Sequence, residues 1–596
     1  MLKKVILLSL IASLFIGFKG YKLQVEAQTE MPEVIYTDED YTRLHTVIQH
    51  VENVLHYGHA YNDDTDLLPD AINTLNGEPA KWVFPNRAEV PYADLANQQN
   101  FLRTLVALSI VTGSDKYQNE AEAILDEFLA NYQSPTGLMY WGGHRMINLD
   151  TLEVQSTENE NGPHELKNMM PFYELMFEVN EEATIKFIRQ LWTAHFRWGT
   201  ADLNRHGSYG TAFDSNVFGQ PLIDDVIEMD LDGNPIIPQD APGDLPFVNA
   251  ATDLAYAAFT LSDYLGDPAP RAWAEYLMRQ YHLASHPVTG MTVYQYKSTL
   301  VSKSPAECAI PSYTNSGCGD RVARQFRDFG PIARESSVQW KNTQAIYVDN
   351  SLMLLEAADK YGIDYYVDWV RGYLEGYLDY TYIRIDGKNK IIPMFYDGTV
   401  TYGYTVPEVG YYGPSNMRLG YVDMPTTYLL PILRTILATE EDADKVKLWN
   451  YFRDIVYTFG MGDVGPLGGN EPSLNYDTAI DDPFALMAMI ELYEDTANPA
   501  YLEVARTIGN NIVRERFHRG FFVQSEIMLY SRLDQPETLA LLILDGIIRG
   551  YSSSEMPYYL ADSGYIHGYL LSNDGVTEDR SYTQTYIYVK TIYDWE

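Results

Sequence analysis

The chain of 596 residues has only two cysteines, Cys308 and Cys318. They enclose a short polar loop, and two such cysteines in an exported protein more often form a disulfide than a thiol site. We therefore expect a disulfide between them. A catalytic or metal-binding thiol is the alternative.

Basic residues are also scarce. Lys and Arg number 42 against 82 Asp and Glu, which gives a formal net charge of −40. Binding to a phosphate backbone requires a basic footprint, so this balance argues against nucleic acid as a partner. An acidic surface also keeps a protein soluble. An anionic substrate would need a local basic cluster set against this global field.

Long apolar runs are missing after the N-terminus. Lys3 and Lys4, the apolar run 5–18 and the segment 25–27 have the order of a secretory signal peptide, with a small-x-small cleavage site. The apolar run is shorter than the roughly 18 residues that suggest a membrane span. We predict a signal peptide over residues 1–27, no membrane span, and a periplasmic or secreted mature protein.

Common catalytic motifs are absent too: the sequence has no GxxxxGK loop, no HExxH and no GxSxG. Aromatic residues, in contrast, make up 13% of the chain, with 48 Tyr and 9 Trp. Flat rings with a polar tip suit the faces and hydroxyls of sugars. This composition favours a glycan ligand, with ordinary packing of loops as the alternative.

A helical hairpin recurs along the chain, in which two helices are joined by a tight polar turn and followed by an aromatic loop. Such a hairpin cannot bury its apolar face alone, and a closed ring of hairpins leaves no exposed end. We predict that residues 28–596 form one mostly α-helical (α/α) toroid of six or seven hairpins, with long aromatic loops and short strands at the rim and a short β-rich C-terminal tail. An open solenoid is the alternative. The turns of six hairpins lie at Gly113, Asn180, Gly266, Gly362, 438–441 and 496–499. Asp40–Tyr57 with Pro536–Arg549 is the candidate for a seventh pair.

Residues that can carry chemistry concentrate between positions 141 and 209. Three of the chain's 12 histidines occur in short motifs there, in loop-like or helix-starting contexts. Two histidines and a carboxylate form a site suited to a transition metal. Structural histidines held by hydrogen bonds are the alternative. The motifs are Trp141-Gly142-Gly143-His144, Gly162-Pro163-His164-Glu165 and Asn204-Arg205-His206-Gly207.

The succession of these motifs resembles the family 2 polysaccharide lyases, the pectate lyases with an (α/α) barrel. In that family a His, a Glu and a second His hold a transition metal, and an Arg beside the last His is the base. The resemblance implies that His144, Glu165 and His206 bind a divalent, manganese-like metal and that Arg205 is the base. It also implies a lyase that cleaves uronic-acid glycans by β-elimination.

The chemistry of such an elimination is consistent with these residue types. The reaction removes the C5 proton of a uronate and expels the oxygen at C4, and neutralising the carboxylate lowers the cost of the developing enolate. An arginine acts as base only when its proton affinity is strongly depressed, because a free guanidinium is effectively always charged. Tyr209, three residues after His206, is a rival proton carrier.

A second basic cluster runs from Arg321 to Lys341. Arginine suits two-pronged recognition of carboxylates, and a solvated basic face is the alternative. Lys297, after an aromatic strand, is a candidate catalytic cation near the leaving group or the carboxylate. The candidate substrate-binding residues are Trp141, Arg145, His164, Arg324, Arg327 and Lys341.

Other functions remain open from the sequence. Expulsion of water in place of a sugar would make the protein a dehydratase on uronate-bearing oligosaccharides. A glycoside hydrolase on the same toroid would need a carboxylate pair. Asp202, Glu335 and Asp349 are available for it, but no pair stands out. A non-catalytic glycan-binding protein is a third class.

Overall fold

The computed structural model describes residues 34–83, 89–142, 145–156, 169–197, 202–203, 207–236, 245, 248–294, 296, 338–339, 343–403, 418–526, 528–557, 569–571 and 578–579. Residues from Ile35 onward form one compact unit. None of the helices in these ranges has the length and apolarity needed to cross a membrane. The predicted signal peptide and both cysteines lie outside the described residues.

The described chain contains fourteen α-helices, which pair into seven hairpins of one inner and one outer helix. The inner helices are α2 (Gln99–Thr112), α4 (Tyr173–Val179), α6 (Val248–Leu265), α8 (Asn350–Tyr361), α10 (Leu429–Ala438), α12 (Pro483–Thr496) and α14 (Pro536–Ile548). Their outer partners, in the same order, are α3 (Lys116–Asn131), α5 (Glu181–His195), α7 (Pro268–Leu283), α9 (Tyr365–Thr381), α11 (Asp442–Thr458), α13 (Pro499–Arg516) and α1 (Asp38–Tyr61).

The inner helices close into a ring. Successive contacts run from α2 to α14, α12, α10, α8 and α6. The short helix α4 fills the remaining place: its Phe177 stacks on Tyr264 of α6 with ring centroids 3.9 Å apart, and Arg103 of α2 lies 5.0 Å from the Phe172 ring just before α4. The predicted (α/α) toroid is therefore confirmed, with seven hairpins.

Inner and outer helices differ in how much of their surface is apolar. Helix α14 is buried at every position from Glu537 to Ile548, as expected for a helix enclosed on all sides. Helix α5 is amphipathic: Phe187 and Leu191 are buried, while Glu181 at its start is exposed. This difference in burial explains why one helix of each pair lines the centre and the other faces solvent.

Connections between the helices are short at one rim and long at the other. Gly113 and Gly362 end inner helices in the left-handed region, with φ of 68° and 65°, which glycine adopts without steric cost. The long segments 132–172, 196–247 and 284–349 each lead from an outer helix to the next inner helix. All the candidate site residues belong to these three segments.

A six-stranded antiparallel sheet accompanies the long segments. Its order is β21-β20-β2-β3-β4-β5, so strands from the two ends of the chain meet in it. The predicted β-rich tail is represented by β21, while residues 572–577 and 580–596 lie outside the described residues. The strands are β2 (Lys81–Val83), β3 (Glu89–Ala93), β4 (Arg145–Asn148), β5 (Glu153–Ser156), β20 (Tyr569–Leu571) and β21 (Glu578–Asp579).

Fifteen further short strands form seven small sheets within the described residues. They are β1 (Ala71–Asn73), β6 (Phe196–Arg197), β7 (Asp202–Leu203), β8 (Glu228–Met229), β9 (Pro235–Ile236), β10 (Val338–Gln339), β11 (Tyr382–Ile385), β12 (Lys388–Ile391), β13 (Met394–Phe395), β14 (Val422–Asp423), β15 (Gly462–Asp463), β16 (Ser473–Leu474), β17 (Phe517–His518), β18 (Phe521–Phe522) and β19 (Tyr530–Arg532). The predicted short strands around the barrel are thus present.

Asp40, on α1, forms an ion pair with Arg506 on α13. Its carboxylate accepts a hydrogen bond from the Thr37 N–H in a capping box, and it pairs with Arg43 and, at 3.0 Å, with Arg506. Burial acts to raise the pKa of Asp40. The hydrogen bonds from Thr37 and the two arginine charges outweigh that effect and hold the pKa below its ordinary value.

We expect Asp40→Asn to lower the free energy of unfolding by about 3–5 kcal/mol, because it leaves charged groups in a buried cluster without their counter-charge. A lowered carboxylate pKa stabilises the fold only above that pKa, so the difference from the parent protein should shrink as the solution is acidified through the folded-state pKa. Urea unfolding at neutral pH and in acid measures both effects.

The matched control is Asp442→Asn. The Asp442 side chain is 84% exposed and lies 3.6 Å from Lys445, so its removal should cost less than about 0.5 kcal/mol. Equal losses in the two variants, or a loss in Asp40→Asn that does not change with pH, would contradict the role given to Asp40.

Candidate active site

The first motif is held against the six-stranded sheet. The Arg145 N–H at the start of β4 donates to the Gly142 carbonyl at 3.2 Å, and β4 pairs with β3. Asp94, directly after β3, is fully buried, and its Oδ1 would lie 2.9 Å from a Cβ added to Gly142. The Ala96 methyl group lies at the same distance, so a side chain at position 142 would collide with both residues unless they moved. His144 lies outside the described residues.

Trp141 is the buried end of this motif. Its side chain is 1% exposed and meets Phe187 of α5 edge to face, with ring centroids 4.9 Å apart. Its carbonyl accepts a hydrogen bond from the Ala96 N–H at 3.0 Å. The indole is therefore packed in the core, and its predicted contact with substrate stays a prediction.

The second motif is anchored at its downstream end. The N–H groups of Met169 and Met170 donate to the Asp253 carboxylate at 3.2 and 3.1 Å, and the Met170 carbonyl accepts from Arg103 at 2.8 Å. Asp253 belongs to α6 and Arg103 to α2, and both are buried. Glu165 lies outside the described residues, four positions before this anchor on the inner wall.

The third motif is anchored on both sides against the end of α5. Strands β6 and β7 pair Phe196 with Leu203. Gly207 has φ of 52°, and a Cβ there would lie 2.6 Å from Nε2 of His195, the last residue of α5. Asn204, Arg205 and His206 lie outside the described residues, but both neighbours of this three-residue segment are fixed beside α5.

Tyr209 joins the third motif to the first. Its hydroxyl donates to the Met139 carbonyl at 2.9 Å, and its own carbonyl accepts from the Thr136 hydroxyl at 3.1 Å. The guanidinium carbon of Arg145 lies 5.0 Å from the centroid of the Tyr209 ring and 5.7 Å from that of Tyr140. A cation over two aromatic faces stabilises this junction beyond what the hydrogen bonds provide.

The second and third anchors are joined through α5 and α6. The indole N–H of Trp192 donates to the Leu254 carbonyl at 2.9 Å. Trp192 lies one turn before His195, and Leu254 follows Asp253. The contacts that hold the three motifs are therefore in one region. These anchors are Gly142 with Asp94, Met169 and Met170 with Asp253, and Gly207 with His195.

Arg145 is the predicted substrate-binding residue whose setting the structure defines best. It is half-buried, and the two tyrosine rings limit where its guanidinium can move. A guanidinium restrained in this way suits two-pronged binding of a carboxylate. Tyr140 is not among the residues predicted from the sequence, although it directly precedes the first motif and is aromatic.

The other predicted site residues lie outside the described part of the chain. Within the part that is described, no group of three His, Cys, Asp or Glu side chains is arranged to hold a metal ion. A rival metal site is therefore not found there. The predicted residues outside the described ranges are His144, His164, Glu165, Arg205, His206, Lys297, Arg324, Arg327 and Lys341.

Tyr209→Phe separates a packing role from proton transfer. We expect kcat to stay within about tenfold of the parent value and the free energy of unfolding to fall by about 0.5–1.5 kcal/mol, because the hydroxyl is engaged with the Met139 carbonyl and the ring is retained. Tyr457→Phe, at a side chain that is 59% exposed, is the control. A fall in kcat of about 10²–10⁴-fold would instead identify Tyr209 as the proton carrier.

Comparison with known proteins adds independent information. The family model described as periplasmic pectate lyase matches residues 65–569. The pectate disaccharide-lyase of Dickeya dadantii (strain 3937) is 35% identical over 528 residues, which cover 88% of this chain and 92% of the relative. The family-model match includes the three motifs and all the inner helices.

Among solved structures, a sugar epimerase from a ruminal bacterium is 10% identical with a TM-score of 0.38, covering 86% of this chain and 99% of that one. Cellobiose 2-epimerase from Bacillus thermoamylovorans is 11% identical with a TM-score of 0.36, covering 73% of this chain and 90% of that one.

Proposed function

This chain belongs to the periplasmic pectate lyase family and is therefore a carbon–oxygen lyase, and we propose that it cleaves pectate by metal-assisted β-elimination. The observation that carries the proposal is the convergence of the three motif anchors in one region, through Tyr209, Arg145 and Trp192. These contacts bring the described neighbours of all three motifs together, as a site built from the three motifs requires.

The proposed metal ligands are His144, Glu165 and His206. Two imidazoles and a carboxylate suit a divalent transition metal such as manganese and leave coordination positions for substrate oxygens. Each proposed ligand lies within four residues of an anchor, which supports the fit. A metal bound there would neutralise the uronate carboxylate and so make its C5 proton more acidic.

Arg205 is the proposed base. It immediately precedes His206, so its guanidinium would be held beside a positively charged centre. A neighbouring positive charge favours the neutral form of a basic group, and this lowers the proton affinity that otherwise keeps arginine charged. Arg205 would then accept the C5 proton as the bond to the C4 oxygen breaks.

Local cations would hold the polyanionic substrate against the net charge of −40. Arg145, which is restrained by Tyr140 and Tyr209, is proposed to bind a second uronate carboxylate beside the reacting one. Lys297 is the proposed cation near the leaving group. His164, Arg324, Arg327 and Lys341 are proposed to line the rest of the groove.

Two finer features are part of the same proposal. The relative from Dickeya dadantii is named a pectate disaccharide-lyase, and we propose a disaccharide as the product here. The family is described as periplasmic, and the predicted signal peptide over residues 1–27 supports export to the periplasm. The N-terminal sequence of protein purified from that compartment should begin at Gln28.

The test exposes the purified protein to pectate, methyl-esterified pectin, alginate and hyaluronan. Ultraviolet absorbance of the unsaturated product and new reducing ends are followed together. We expect both to rise with pectate and the product to be an unsaturated disaccharide. Reducing ends without absorbance would indicate a hydrolase, and absorbance without chain shortening would indicate a dehydratase. Either result would overturn the proposal.

A further inference from the structure

His195 is a buried histidine in which one ring nitrogen is hydrogen-bonded and the other faces no hydrogen-bond donor among the described residues. Its Nδ1 lies 2.8 Å from the Leu191 carbonyl, and because a carbonyl only accepts, Nδ1 carries the proton. Burial lowers the pKa of His195 to about 4, so the ring is neutral at neutral pH. No donor among the described residues reaches Nε2.

The open edge of this ring is pressed against Gly207. A Cβ at position 207 would lie 2.6 Å from Nε2, 2.7 Å from Cε1 and 2.9 Å from Cδ2 of His195, distances that no real side chain tolerates. The imidazole thus occupies the place of a side chain at a backbone position with φ of 52°. Only glycine satisfies both conditions.

The contact between His195 and Gly207 brings the chain after β7 back to the end of α5. The chain leaves α5 at His195, returns along β7 to Leu203 opposite Phe196, and meets the His195 ring again at Gly207. The segment from Leu203 to Gly207 is therefore fixed at both ends by neighbouring residues of α5 and β6. Three residues, among them Arg205 and His206, connect these ends.

The continuation of the chain is held just as closely. The side-chain amide of Gln190, on α5, donates to the Thr211 carbonyl at 2.7 Å, and Tyr209 is fixed to residues 136–140. Gly207 consequently has no room to shift away from the imidazole without breaking several of these contacts.

We propose that His195 is a positioning residue for the third motif: its imidazole holds Gly207, the residue that directly follows the proposed base Arg205 and the proposed metal ligand His206. The inference rests on the proposed function, which supplies the roles of Arg205 and His206. It adds a requirement for a ring at position 195 and for glycine at position 207.

Gly207→Ala tests the contact directly. We expect kcat on pectate to fall by about 100-fold, because displacement of reacting groups by about 1 Å can cost that much, while KM stays near the parent value. Affinity for Mn²⁺, measured without substrate from the electron paramagnetic resonance of the free ion, should fall about 10- to 100-fold. Gly113→Ala, with φ of 68° and open space around the added Cβ, carries the same backbone strain and should change neither quantity.

Two more variants separate positioning from loss of fold. His195→Ala removes the ring without adding a clash and should lower kcat and Mn²⁺ affinity while circular dichroism remains that of the parent. The double variant, with His195→Ala and Gly207→Ala, should be no worse than Gly207→Ala alone, because the methyl group then has room. Strictly additive losses, or unchanged Mn²⁺ affinity and kcat in both single variants, would overturn the inference.

If the proposed function is wrong, the measurements on the parent protein differ from those expected above. In that case the parent protein itself would bind no Mn²⁺ and form no unsaturated product. If the parent is an Mn²⁺-dependent lyase and the variants at positions 195 and 207 behave like it, only the positioning role of His195 is lost.

Discussion

Arg205→Ala is expected to lower kcat on pectate by about 10²–10⁴-fold, the range that a positioned base contributes, while KM remains near the parent value. The reason is that the guanidinium would accept the C5 proton only during the elimination. A residue that acts only in the transition state affects kcat and kcat/KM equally and leaves ground-state binding unchanged. Steady-state kinetics by ultraviolet absorbance measures both quantities.

Two further variants define the specificity of this effect. Arg205→Lys should not restore turnover, since an ammonium group lacks the planar geometry of the guanidinium. Arg514→Ala, at a side chain that is 58% exposed, controls for the loss of one positive charge and should leave kcat unchanged. If Arg205→Ala retains turnover, the base is another group, and Tyr209 is the next candidate.

His206→Ala is expected to reduce Mn²⁺ affinity by more than about 100-fold, because even groups that only support a metal ligand contribute 10–100-fold. Its kcat should fall to the level of the parent protein in chelator, and added Mn²⁺ should not restore it at concentrations that saturate the parent. Titration calorimetry and the same absorbance assay measure the two effects.

The control is His59→Ala. His59 lies in the last turn of α1, is about 31% exposed and pairs with Glu120 at 3.2 Å, far from the three motifs in sequence. Its removal should leave Mn²⁺ affinity and kcat unchanged. Unchanged Mn²⁺ affinity in His206→Ala as well would contradict the assignment of His206 as a metal ligand.

The barrel could be predicted from sequence because its repeats have local signals. Glycines such as Gly113 and Gly362 mark helix ends, and the helical spacing of apolar residues marks each buried face. Helix α4 was harder to define, since it has only seven residues and keeps its place in the ring through contacts such as Phe177 with Tyr264. Such contacts join distant segments and have no local signature.

The candidate site divides in the same way. Its motifs could be recognised because their residues stand together in short stretches, as Arg205 and His206 do. The residues that hold the motifs in place could not, because Asp94, Asp253 and His195 look like ordinary residues of a strand end or a helix. Their role depends on burial and on partners that the fold alone brings together.

The other functions considered from the sequence, a hydrolase, a dehydratase and a carbohydrate-binding protein, are not favoured. Membership in the pectate lyase family does not favour a hydrolase or a dehydratase. Asp349, one carboxylate considered for a hydrolase, is 2% exposed and directly precedes α8, where a general acid would have little access to a polysaccharide. A carbohydrate-binding protein without activity is not favoured either, because the family is one of lyases.

The most direct test of the account is the ultraviolet absorbance of unsaturated product released from pectate by one protein sample in three states: as purified, after chelation, and after Mn²⁺ is restored. We expect absorbance to rise in the first state, to stay level after chelation, and to rise again once Mn²⁺ is restored. An undiminished rise from chelated protein that elemental analysis shows to be free of metal would contradict metal-assisted elimination.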